Sequence, residues 1–95
     1  MSVYTETLKE LARYSKRIDD AKANDTDFVE LQKLRDRIIE WEHHGYYNSN
    51  KRKQLWNICN DLVDECREVI RLNESVRQID REIRRERRKQ ALGVA

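Results

Sequence analysis

The sequence has no proline and only two glycines, Gly45 and Gly93. These are the residues that break helices most strongly, so a helix can run on wherever the apolar pattern supports it. A glycine-rich phosphate loop is excluded, because the two glycines stand far apart. Aromatic residues make up 7% of the chain, and mean hydropathy is -1.03. No stretch approaches the ~20 apolar residues that a membrane span needs. The opening Met1-Ser2-Val3-Tyr4-Thr5-Glu6 lacks the apolar run of a signal peptide.

Cysteine is also scarce. Cys59 and Cys66 lie seven residues apart. Two helical turns hold their α-carbons roughly 10.5 Å apart, and a disulfide spans no more than about 7 Å. They read as small core residues of a cytoplasmic protein. No His or Cys sits beside them at ligand spacing, so no metal and no cofactor is expected. There is no Ser/His/Asp or Cys/His arrangement, and the expectation is a protein that is not an enzyme.

What the chain has in excess is charge, 40% of its residues against about 25% in ordinary domains. Its net charge of +2 says little, but the distribution is uneven. Residues 1–73 carry 13 Lys/Arg and 14 Asp/Glu, a net of −1; residues 74–95 carry 7 and 4, a net of +3. A nearly neutral body therefore ends in a basic segment. The apolar residues are too regularly placed for disorder. With 95 residues the chain makes one domain at most.

Three segments carry helical periodicity. The first, 3–23, places Tyr4, Leu8, Leu11, Tyr14, Ile18 and Ala21 on one side, with Ser2 as its cap. The second, 28–44, has the stripe Phe28, Leu31, Leu34, Ile38 and Trp41, with Ile39 at the edge. Asp27 and Glu30 suit a capping box at its start, and Gly45 suits its end. The connection between them is short enough to make them antiparallel neighbours.

The third segment starts near Lys51, with Asn48, Ser49 or Asn50 as cap and Ser49 preferred, and runs to about Gln90. From Leu55 to Ile70 its apolar face is broad, including Trp56, Ile58, Cys59, Leu62, Val63, Cys66 and Val69. A wide stripe serves a helix that covers two neighbours. After that the face narrows to Leu72, Val76, Ile79 and Ile83, a seam suited to one partner helix, with Asn73 and Asp80 in one register of it. The expected fold is all-α. An antiparallel three-helix unit over 1–72 carries a long, coiled-coil-like C-terminal helix extending beyond it as a basic extension over 73–95. The alternative is a break at Asn73 that lets the tail fold back as a fourth helix.

Four groups of residues are candidates for function. Lys51, Arg52 and Lys53 crowd the positive end of the third helix, where acidic residues are usual. With Tyr46, Tyr47, His43 and His44 just before them, they resemble the parts of a nucleotide or nucleic-acid site. Against this stands a plain solvated turn. The basic tail Arg84, Arg85, Arg87, Arg88 and Lys89 suits an acidic partner, or simply a solvated helix end with ion pairs Asp80–Arg84 and Glu86–Lys89. No helix-turn-helix spacing supports sequence-specific DNA reading. Asp61, Asp64, Glu65 and Glu68 share a helix face, with Glu40 and Glu42 as candidates to oppose it, the raw material of a metal-dependent nucleotide hydrolase, though flank residues of this kind are usually only solvated. Leu72, Asn73, Val76, Ile79 and Ile83 form the expected oligomer interface.

The leading expectation is a small non-catalytic helical interaction protein. It would be a homo-oligomer that binds a protein partner, with no membrane association. Its size and charge are shared with accessory and regulatory factors of phages and mobile elements. Nucleotide or nucleic-acid binding through the Tyr46–Lys53 turn and the tail comes second, and the hydrolase third.

Overall fold

A computed structural model describes residues 2–91, leaving the side chains of Arg77, Asp80, Arg81 and Lys89 aside. Three helices follow one another: α1 (Val3–Asp19), α2 (Asp25–His43) and α3 (Ser49–Ala91). Of these, α3 has 43 residues and the others 17 and 19. At about 1.5 Å per residue, α3 is roughly 64 Å long and its neighbours less than half that. The molecule is accordingly a rod of 69 × 19 × 15 Å. Its radius of gyration is 19.7 Å, against about 13 Å for a compact domain of similar length.

α3 runs through the whole molecule, and α1 and α2 pack on its first half. The direction of each follows from its bonds to α3. Tyr4 donates to Gln54 near the start of both α1 and α3, and Asn73 donates to the Ala21 carbonyl just past the end of α1. α1 therefore runs parallel to α3. The Cys59 thiol meets the Leu31 carbonyl, and Cys66 lies by the Asn24 carbonyl, so α2 runs antiparallel to α3. The core comprises Leu11, Tyr14 and Ile18 from α1, Leu31, Leu34 and Ile38 from α2, and Leu55, Cys59, Leu62, Val63 and Cys66 from α3, with Ala23 and Tyr47 from the connections. The broad face expected on the third segment does serve two neighbours, although Ile58 stays 41% exposed at its edge.

α1 ends four residues earlier than its periodicity suggests. Its C-terminus is a Schellman turn, in which the Ala21 N–H reaches the Ile18 carbonyl and the Lys22 N–H reaches Arg17. Ala21 holds the left-handed position at φ 56°. It is exposed rather than part of the stripe, and Ala23 is buried in its place. The same turn closes α2, where Gly45 takes φ 81° as expected.

α2 begins three residues before its expected start. The capping box is Asn24 with Asp27, not Asp27 with Glu30. Asn24 Oδ1 accepts from the Asp27 N–H, and Asp27 Oδ2 accepts from the Asn24 N–H, both at 3.0 Å. Arg17 also donates to Asp27 at 3.0 Å, locking the end of α1 to the start of α2. Ser2 caps α1 as expected. Asn48, not Ser49, caps α3, its side chain accepting from the Lys51 N–H at 2.9 Å. Ser49 instead donates to Glu42.

α3 is continuous from Ser49 to Ala91, so the tail does not double back at Asn73. An α-helix satisfies its own backbone, so with neither proline nor glycine between Ser49 and Ala91 nothing forces a break. Among the described residues beyond Asn73, none is buried or half-buried.

Candidate interaction surfaces

At the turn between α2 and α3, the residues expected to meet an anion are partly committed to the protein itself. Tyr47 is 9% exposed, and its hydroxyl donates to the Ile38 carbonyl. Burial pushes its phenol upward from the ordinary value. Tyr47 is thus a core residue, and little of its ring is left for stacking. Arg52 donates to Glu42 at 2.8 Å, and that bond holds the Glu42 carboxyl below the usual carboxylate range. Lys51 lies 5.0 Å from the centre of the Tyr4 ring, a cation–π distance. Tyr46, Lys53, His43 and His44 remain exposed, Tyr46 by 56%. The turn places all seven residues close together in the chain, but Tyr47, Arg52 and Lys51 face different neighbours.

The crowding of positive charge at the start of α3 therefore has an internal answer. Glu42, from the last turn of α2, supplies the carboxylate that the first turn of α3 lacks. In the sequence these partners are ten residues apart and on different helices, so helical spacing gave no hint of the pair.

The carboxylates Asp61, Asp64, Glu65 and Glu68 are all exposed on α3. Glu40 and Glu42 do not oppose them. The antiparallel course of α2 sets its last turn beside the start of α3, as the Glu42–Arg52 pair shows. Among the described residues no group of three or more His, Cys, Asp or Glu is placed to hold a metal ion. Asp64, Glu65 and Glu68 do share an open groove with Asp19, floored by Ile18 and Val69. A second cleft, between α1 and the end of α2, is lined by Val3, Glu6, Thr7, Glu10, Trp41 and Tyr46. Thr7 is 2% exposed and bonds the Val3 carbonyl. Its spacing from Tyr4 and Leu11 fits the α1 stripe, so a reading weighted by position rather than polarity would have found it.

Cys59 and Cys66 are buried free thiols. Burial pushes Cys59 up to about 11 and raises Cys66 as well. Neither can serve as a thiolate near neutral pH, and both fill space in the core.

The row of apolar residues on the rear half of α3 stands open. Leu72 is 63% exposed, Val76 58%, Ile79 56% and Ile83 45%. Asn73, expected within this seam, is half-buried and donates to the Ala21 carbonyl at 3.2 Å. It marks where α3 leaves the body. Arg84, Arg85, Arg87 and Arg88 follow as exposed residues. The expected pairs Asp80–Arg84 and Glu86–Lys89 involve side chains outside the described residues. No helix here is long and apolar enough to cross a membrane, among the described residues.

Comparison with protein families, with curated proteins and with solved structures finds no match, so no relative lends this chain a function.

Proposed function

We propose that this is a non-catalytic helical interaction protein, oligomeric through the projecting half of α3, an accessory or regulatory factor that acts by binding a macromolecular partner. One observation carries the reading. Leu72, Val76, Ile79 and Ile83 lie at helical spacing on one side of a helix that has left its own body, and each is at least 45% exposed. Burying such a side chain yields roughly 1.5–3 kcal/mol, so a row of them left in water favours association. Its narrowness fits one partner helix rather than two. The double substitution Val76→Asp with Ile79→Asp should keep the helical circular dichroism signal and lower the mass measured by light scattering. An unchanged mass would remove the proposal.

A second reading is supported by Tyr46 and Lys53 at the turn and by the four exposed arginines of the tail. Aromatic and basic side chains together suit single-stranded nucleic acid or a nucleotide, and binding of that kind weakens steeply with salt. Absence of any mobility shift with single-stranded DNA or RNA at low salt, and of nucleotide binding by calorimetry, would count against it.

A further inference from the structure

We infer that the occupant of the projecting helix is a second copy of this chain, laid antiparallel, with the basic end of each α3 in the acidic groove of the other. The inference rests on the reading of Leu72–Ile83 as an association surface, and adds its partner and orientation. The row steps by four, three and four residues, so it reads the same in both directions. Reversed on a second copy, Leu72 meets Ile83 and Val76 meets Ile79. A two-fold interface needs this kind of self-complementarity. A parallel pair would satisfy the row equally well, so something else must decide.

Charge decides it. Residues 84–91 carry five Lys/Arg against one Asp/Glu, a net of +4, and residues 64–71 carry two against three, a net of −1 to which Asp19 of α1 adds a further carboxylate. A parallel pair sets one +4 segment along another. The antiparallel pairing that matches Leu72 with Ile83 sets residues 84–91 of one copy along 64–71 of the other. That is where Asp19, Asp64, Glu65 and Glu68 border the groove floored by Ile18 and Val69. Arginine suits such a place, because its stem covers apolar surface while its head meets carboxylates. The tail cannot reach its own groove. Along a continuous helix Glu68 and Arg87 are about 28 Å apart.

Length points the same way. Leu72 to Ile83 is under two heptads, short for a pair of helices held by that seam alone. The antiparallel arrangement extends the overlap over residues 64–91, four heptads.

A spin label on Gln90→Cys tests the orientation in the full chain. Gln90 is exposed, and the native thiols are buried; label stoichiometry by mass spectrometry confirms that only position 90 is modified. Pulsed electron resonance should give a separation of about 40 Å for the antiparallel pair, and less than about 20 Å for a parallel one. Salt supplies an independent readout. Raising ionic strength should weaken the antiparallel dimer by about tenfold or more, whereas it would strengthen a pair of like-charged tails. Reversing Arg84, Arg87 and Arg88 to Glu should produce monomer, and adding Asp64→Lys, Glu65→Lys and Glu68→Lys in the same chain should restore the dimer. A short distance, or association that salt strengthens, overturns the antiparallel pair while leaving the association surface standing. A monomer at every concentration overturns both.

Discussion

The front and rear halves of α3 have the same backbone and opposite surroundings. From Ser49 to Asn73 the helix buries Leu55, Cys59, Leu62, Val63 and Cys66 against two neighbours. From Glu74 to Ala91 no described residue is even half-buried. The front half derives its stability from packing. The rear half continues a helix already nucleated, which avoids the unfavourable first turn, but a helix of that length alone in water is marginal. One helix can therefore be a core element at one end and a binding surface at the other, because helical hydrogen bonds are local and burial is not.

The largest effect that sharpens this contrast comes from matched truncations. Leu55→Ala, at a site with 0% exposure, should cost about 2–5 kcal/mol in urea denaturation. Ile79→Ala, at 56% exposure, should change the stability of the body by less than about 0.5 kcal/mol and reduce association instead. Equal losses at the two sites would erase the distinction between the halves.

Alkaline pH probes the packed body around the front half. The thiol of Cys59 stays protonated in the folded protein up to about 11, whereas an unfolded thiol ionises near about 8.5. The folded state then holds a proton the unfolded state has lost, so stability is full below the unfolded value and falls as pH rises towards the folded one. The urea midpoint should drop across that window, and Cys59→Ala should flatten the drop. Tyr14, Tyr47 and Cys66 are raised by burial too and act in the same direction.

Asp27→Ala removes both the return bond to Asn24 and the partner of Arg17. About 1–2 kcal/mol should be lost, with earlier hydrogen exchange at the start of α2 and no change in the rear of α3. The smallest effect should be a gain. Ala21→Gly relieves a left-handed alanine at φ 56°, and the body should gain about 0.5–1 kcal/mol, seen as a higher melting temperature.

Much of the fold was legible in the residues. The stripes Leu11–Tyr14–Ile18 and Leu31–Leu34–Ile38, the Gly45 stop and the wide-to-narrow change along α3 each follow from spacing alone. The boundaries were less so. Asp27 fits a capping box equally well as cap or as third residue, and only the carboxylate's bonds to Asn24 and Arg17 choose between them. Ala21 carried no sign of its left-handed turn, since alanine is the best helix former and the turn is imposed by the return of the chain. At the second connection, Tyr46 and Tyr47 look alike in sequence, yet one is 56% exposed and the other 9%.

By itself the sequence determined three helical stripes, the last of them wide and then narrow, because periodicity, capping and the lack of breakers act over a few residues. Only the tertiary structure decided that α3 runs on past Asn73 instead of folding back, that Arg52 answers to Glu42, that Tyr47 belongs to the core, that Asn73 closes the body, and that Asp19 joins Asp64, Glu65 and Glu68 around one groove. Those outcomes depend on which helix lies beside which and in what direction, and no local pattern encodes that.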